Sequence, residues 1–131
     1  MKKIIKTNDM WKKELPSDVY IVTREKGTES PFSGKYNKNY KKGLYCCICC
    51  QNILFSSEHK FDSGTGWPSF YQPYSNDSVK HIEDDSYNMI RTEVICKQCD
   101  SHLGHIFKDG PIPTGDRYCI NSTSLDFKEN K

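Results

Sequence analysis

With 131 residues, 35% of them hydrophobic and 12% aromatic, the chain is sized for one domain around a modest core, which favours a further staple such as a bound metal. No apolar run approaches the roughly 18 residues of a membrane span, and the opening Met1-Lys2-Lys3-Ile4-Ile5 turns polar at Lys6, Asn8 and Asp9, too early for a secretory signal. Net charge is +2, yet residues 1–42 carry ten Lys and one Arg against five acidic side chains, a solvated lysine-rich surface before it is a nucleic-acid patch.

A cytoplasmic, reducing setting is the expectation, and there C-x-x-C pairs hold metals rather than close disulfides. One domain is expected over 1–131. Residues 1–15 read as a mobile arm or a first short helix, and Pro16-Ser17-Asp18 offers an N-cap before Val19-Tyr20-Ile21-Val22. Gly27, Pro31 and Gly34 then keep any helix short. From Gly43 onward, short apolar or alternating runs at 44–47, 53–55, 87–95, 106–107 and 118–120 are separated by turn strings such as Asp62-Ser63-Gly64, Ser75-Asn76-Asp77 and Lys108-Asp109-Gly110-Pro111. That pattern predicts a small antiparallel β domain. Residues 128–131 read as a disordered tail.

Seven cysteines divide unevenly. Cys46, Cys47, Cys49 and Cys50 form one group, and Cys96 and Cys99 another. The first group offers two C-x-x-C pairs. A weak repeat chooses between them: Cys47-x-x-Cys50-x-x-x-Leu54 matches Cys96-x-x-Cys99-x-x-x-Leu103, and a polar residue follows each second cysteine (Gln51, Asp100). A metal knuckle opens into such a polar turn after its second ligand. Cys47, Cys50, Cys96 and Cys99 are therefore assigned to one structural, tetrahedral zinc ion per chain, which adds to folding stability directly. His102 and His105 lie close enough in sequence to be ligands, but four thiolates already close a tetrahedron, which leaves both histidines for proton transfer or for a structural role.

Cys119 is left over. Arg117, Cys119 and Asn121 alternate with Tyr118 and Ile120, so on a strand they share one face while the other faces the core. Guanidinium, thiol and amide on one face read as the floor of a site. An Arg beside a thiol favours thiolate, the nucleophilic form, and a nearby His can move a proton. Gly64-Thr65-Gly66-Trp67-Pro68-Ser69-Phe70 is the other unusual string. Its glycines permit backbone angles closed to other residues, Pro68 stiffens the exit, and Trp67 serves either as an apolar wall or as part of the core.

Taken together, these strings resemble the methionine-R-sulfoxide reductase family, the B type. The matching pieces are Arg24-Glu25-x-Gly27-Thr28-Glu29-x-Pro31-Phe32-Ser33-Gly34, Gly43-x-Tyr45, the string from Asp62 through Phe70, Cys99-x-x-His102-Leu103-Gly104-His105-x-Phe107-x-Asp109-Gly110-Pro111, and Arg117-Tyr118-Cys119-Ile120-Asn121-Ser122, in that order over roughly 11–127. The resemblance implies a mainly β fold of two antiparallel sheets, a small sandwich or barrel-like body, with short N-terminal helices and a four-cysteine zinc staple. It implies reduction of the R epimer of methionine sulfoxide, free or in proteins, with Cys119 as nucleophile and a sulfenic acid intermediate. Trp67 and Phe107 stand where the substrate is bound, and His102, His105, Arg117 and Asn121 where the polar groups surround the sulfoxide oxygen and the nucleophile.

One departure matters. Many members of that family carry a resolving cysteine where this chain has Thr65. The expectation is therefore that an external thiol, thioredoxin or a small molecule, reduces oxidised Cys119, with Cys46 or Cys49 as rival resolving thiols. The expected enzyme is a monomer with no nucleic-acid or membrane partner. A zinc-ribbon nucleic-acid module is the alternative, and it leaves the 64–70 loop and the Cys119 face without a task. A zinc hydrolase is disfavoured, because four thiolates leave no open position for water.

Overall fold

In the computed structural model, which describes residues 3–85 and 88–130, two short helices precede nine strands in two antiparallel sheets. The first helix, α1 (Asn8–Glu14), is capped by Thr7, whose side chain accepts from the Met10 N–H at 3.2 Å. It buries Trp11. The second, α2 (Ser17–Arg24), starts differently from the expected cap: Pro16 holds the cap position with no side-chain hydrogen bond, and Asp18 lies in the first turn, where its charge complements the helix dipole. Gly27 N–H closes the turn on Ile21 O at 2.9 Å. Among the described residues, no helix is long and apolar enough to cross a membrane.

The strands are β1 (Gly43–Cys47), β2 (Ile53–Ser56), β3 (Lys60–Phe61), β4 (Ser69–Phe70), β5 (Val79–Asp84), β6 (Arg91–Cys96), β7 (His102–Phe107), β8 (Arg117–Ile120) and β9 (Leu125–Glu129). One sheet has the order β2-β1-β9, the other β3-β4-β8-β7-β6-β5. The fold class expected from the resemblance, two antiparallel sheets with short N-terminal helices, is the one observed.

Several boundaries differ. Of the predicted tail, Lys128 and Glu129 belong to β9, which pairs with β1 from Gly43↔Glu129 to Cys47↔Leu125. The second edge of β1 needs a hydrogen-bonding partner, and the alternation of Leu125 and Phe127 supplies one. Lys131 lies outside the described residues. Of the predicted run at 87–95, Tyr87 also lies outside them and the strand begins at Arg91. The polar, largely exposed β5 is an edge strand that hydrophobic patterning does not reveal.

The core lies between the sheets. Phe55 of the first sheet stacks on Phe70 of the second, with ring centroids 4.4 Å apart and planes 13° apart, and Tyr45 meets Phe70 edge-on at 5.1 Å. Such pairs add about 0.5–1.5 kcal/mol beyond the area they bury. Leu54, Leu103, Ile120 and Leu125 complete this layer, none more than 1% exposed. Strand β8 runs through the middle of the larger sheet, so Cys119 rides on a rigid element.

Candidate active site and four-cysteine cluster

The alternation in β8 is realised in the structure. Tyr118 and Ile120 are buried in the core, while Arg117, Cys119 and Asn121 line a cavity of about 280 Å³ on the opposite face. Cys119 pairs across the sheet with Ser69 of β4 on one side and His105 of β7 on the other. Trp67 and Phe107 supply apolar wall. Thr28, Thr65, Arg91 and His105 complete the polar side, and Gly104 leaves room for the neighbouring backbone.

The loop carrying Trp67 is built by short polar contacts. Asp62 Oδ1 accepts from Gly64 N–H at 2.9 Å; Gly64 and Gly66 sit at φ 73° and 96°, in the left-handed region. The Ser63 hydroxyl lies 2.8 Å from Thr65 Oγ1 and 2.7 Å from Ser69 Oγ. Trp67 is half-buried and its indole N–H donates to Glu29 O at 3.0 Å, so the ring is held as a wall by a segment far away in sequence.

Arg117 is not free to serve Cys119 alone. It forks onto Asp109 at 2.8 and 3.1 Å and lies 4.5 Å from the Phe107 ring centroid. Burial pushes the Cys119 thiol up, and the opposing pull of the Arg117 charge and the Thr65 hydroxyl does not cancel it. The Arg117 charge favours thiolate, as expected, but desolvation outweighs that single charge and the net shift is upward. Asn121, 3% exposed, is also engaged: its amide donates to Leu103 O at 3.1 Å, and its oxygen accepts from Glu29 N–H at 3.0 Å.

His102 and His105 lie three residues apart, and a regular strand would send them to opposite faces. The register shifts between Val94↔Gly104 and Ile95↔His102, a bulge with Leu103 as the extra residue, and both imidazoles end on one side with centroids 5.5 Å apart. Only His105 lines the cavity. Its Nε2 is 2.8 Å from Asp84 Oδ2. Burial lowers its pKa, the charges of Arg91 and His102 add to that, and Asp84 opposes it. His102 is 3% exposed, with Nδ1 2.7 Å from Glu93 Oε2 and Nε2 buried without a protein partner. Burial tends to raise the Glu93 carboxyl, but the His102 hydrogen bond, the His102 charge and Lys26, 3.3 Å away, hold it below the usual range.

Cys47, Cys50, Cys96 and Cys99 place their sulfurs within 4.8 Å of one another. Cys47–Cys99 and Cys50–Cys96 are 3.6 Å apart, near the ~3.8 Å edge of a tetrahedron with metal–sulfur bonds of about 2.3 Å. The polar residues after each pair make the turns: Gln51 and Asp100 adopt φ 65° and 64°, and their N–H groups bond to Cys47 O and Cys96 O at 2.8 and 2.9 Å. Cys46 and Cys49 stay outside this set. Arg24 donates to Cys99 O at 2.7 Å and to Cys99 Sγ at 3.0 Å, with its guanidinium 4.0 Å from the Trp11 ring centroid.

A family model, the SelR domain, matches residues 15–129. The chain is 58% identical over 122 residues to a peptide methionine sulfoxide reductase MsrB of Thioalkalivibrio sulfidiphilus, covering 93% of this chain and 89% of that one. It is 57% identical over 128 residues to the protein of that name from Pseudomonas putida strain GB-1, 98% of each chain, and 59% identical over 126 residues to the one from Pseudomonas syringae, 96% of each. The chain belongs to the MsrB family.

For this MsrB family member, the residues that sequence reasoning missed are the partners of the histidines and the outer contacts: Asp84, Glu93, Arg91, Thr28, Glu29 and Arg24. One signal was available. Glu93 immediately precedes the run Val94-Ile95-Cys96 on the same strand, and a carboxylate at the start of a buried stretch calls for a buried partner. The cavity can seat a small group with one apolar and one polar side, and present it to a thiol at the floor and an imidazole beside it.

Proposed function

We propose that this chain reduces the R epimer of methionine sulfoxide, free or within proteins, to methionine. The observation that carries the reading is Cys119 on the floor of a cavity with Trp67 and Phe107 on one side and His105, Arg117 and Asn121 on the other. A methyl group against the apolar wall and an oxygen toward the polar side select one configuration at a chiral sulfur. In the reaction, Cys119 sulfur takes the sulfoxide oxygen: the substrate S–O bond breaks, a Cys119 S–O bond forms, and methionine sulfur gains the electron pair. The thiol proton ends on the transferred oxygen, which makes Cys119 a sulfenic acid. Because burial keeps Cys119 protonated at rest, the proton must be moved during the step, and His105, neutral near pH 7 and lining the same cavity, is placed to move it. Asn121 acts by tying the Leu103 bulge to the Glu29 segment, and His102 lies behind the cavity wall.

Two molecules of an external thiol, or the dithiol of thioredoxin, then reduce the sulfenic acid and release water. Thr65 cannot form the internal disulfide, and neither Cys46 nor Cys49 lines the cavity. Cys47, Cys50, Cys96 and Cys99 would hold one structural Zn²⁺, whose bonds to thiolate tie β1, β6 and the two turns together and add to folding stability. The chain would act as a single catalytic unit, monomeric and cytoplasmic, with no nucleic-acid or membrane partner. The nucleic-acid alternative leaves the cavity without a task. A stopped assay on the two separated sulfoxide epimers with dithiothreitol tests the reading: turnover of the R epimer alone, abolished in Cys119→Ser, is expected. Equal turnover of both epimers, or activity surviving in the variant, overturns it.

A further inference from the structure

A proton carrier between a buried thiol and a sulfoxide must present the correct ring nitrogen, and the structure shows what sets that choice for His105. Asp84 is the last residue of the edge strand β5, with its side chain 14% exposed, and it pairs directly with Arg91 of β6. Its Oδ2 lies 2.8 Å from His105 Nε2 and 3.4 Å from Arg91 Nη2. Around the imidazole stand Asp84 from β5, Arg91 and the cross-strand Glu93 from β6, His102 from β7, and Cys119 with Arg117 from β8. Of the two nearby carboxylates, Glu93 is turned to His102, which leaves Asp84 as the one bonded to His105.

We propose that Asp84 is a positioning residue: it accepts the Nε2–H of His105 and so assigns Nδ1 to the cavity as the nitrogen that receives the Cys119 proton. This rests on the reductase reading given above. With Nε2–H bonded to a carboxylate, neutral His105 carries its lone pair on Nδ1 and is a proton acceptor there. On taking the thiol proton it becomes an imidazolium whose charge faces Asp84, and it returns the same proton to the oxygen as that oxygen moves from substrate sulfur to Cys119. The proton count closes, His105 ends neutral, and no further reactant enters. The logic is that of a carboxylate that orients an imidazole beside a nucleophile without itself being protonated. Arg91, 3.4 Å from Asp84, adds positive charge near the ring and opposes the imidazolium, whereas the Asp84 carboxylate favours it.

The test combines structure-sensitive and kinetic measurements. Nitrogen-15 imidazole NMR of the wild-type chain should show His105 protonated at Nε2 and bare at Nδ1. In Asp84→Asn, whose amide can donate as well as accept, that assignment should be mixed or reversed. kcat should fall about 10²-fold with KM nearly unchanged, and the acid limb of the kcat/KM profile should move to lower pH, since removing the carboxylate removes an influence that raises the His105 pKa. Asp84→Glu should recover part of kcat. Wild-type His105 protonated at Nδ1, or Asp84→Asn with wild-type kcat and pH profile, overturns the proposal even if the variant is less stable. If the wild-type chain fails to reduce either epimer, the reductase reading fails, and the NMR comparison still decides whether Asp84 sets the tautomer.

Discussion

Gly104 is where the fold and the chemistry press hardest on one another. It pairs with Ile120 on β8 and Val94 on β6, beside the Leu103 bulge. A Cβ at this position would lie 1.9 Å from the Cys119 carbonyl oxygen and 3.0 Å from Cys119 C and Ile120 Cα, all backbone atoms that no rotamer can move. A close C···O contact is about 3.3 Å, so Gly104→Ala requires β7 and β8 to separate by roughly 1.4 Å. That opening strains the bonds from Asn121 N–H and Asn121 Nδ2 to Leu103 O, now 2.9 and 3.1 Å. Overpacking costs about 1–3 kcal/mol and each of the two weakened hydrogen bonds about 1 kcal/mol, so the expected loss is about 3–5 kcal/mol, a drop in Tm on the order of 10–20 °C. Because Cys119 itself is displaced, kcat/KM should fall about 10²-fold in the molecules that remain folded. Gly64→Ala is the control. Gly64 is at φ 73° with nothing near its virtual Cβ, so only the left-handed backbone penalty of about 1–2 kcal/mol applies. Melting curves of both variants and single-turnover rates below the transition decide. Gly104→Ala melting no lower than Gly64→Ala, with at least half of wild-type kcat/KM, would refute the reasoning.

Two further outcomes follow from the site. Burial raises the Cys119 pKa, so its alkylation by iodoacetamide, followed by peptide mapping, should climb with pH to a midpoint above the ordinary cysteine value of about 8.5. Arg117→Met should move the midpoint higher still, because the guanidinium favours thiolate; a midpoint below the ordinary value would contradict the burial argument. Arg24→Gln removes the donor to Cys99 Sγ and Cys99 O, and outer contacts of this kind are worth about 10- to 100-fold in metal affinity. Zinc released to a chromogenic chelator should therefore appear at least several-fold faster, and an unchanged rate would show that Arg24 only packs on Trp11.

The parts of this molecule that could be read from sequence are those fixed by local geometry. The C-x-x-C repeat with Gln51 and Asp100 works because the left-handed turn after each pair is a property of a few consecutive residues. The Arg117/Cys119/Asn121 face works because a strand alternates. What stayed hidden depends on contacts between distant segments. The two histidines share a side only because a bulge at Leu103 offsets the period of the strand, and no composition rule marks that residue as the extra one. The net upward shift of the Cys119 pKa is not legible in the sequence: the neighbouring Arg117, which favours thiolate, is visible there, whereas the burial that outweighs it, and the Asp109 fork that holds Arg117, are not. Lys128 and Glu129, the end of β9, read as tail because a lysine-bearing end reads as solvated until β1 is known to need a partner.

The same distinction explains the segment from Arg24 to Glu29, which reads as punctuation between a helix and a β domain. Glycine keeps it out of regular structure, and that leaves its backbone groups free to bond elsewhere. Glu29 gives its N–H to Asn121 and its carbonyl to the Trp67 indole, while one carboxylate oxygen accepts from Thr123 N–H and Oγ1 at 2.9 Å each. Lys26 faces Glu93 behind His102, and Arg24 holds Cys99. The end of α2 at Arg24 and the irregular residues that follow it therefore touch the four-cysteine cluster, the carboxylate behind His102, the bulge-binding amide and the cavity wall. A helix or strand would use those N–H and C=O groups within itself. Here the absence of regular structure at Glu29 is what frees its N–H and C=O to hold the bulge-binding amide and the cavity wall in register.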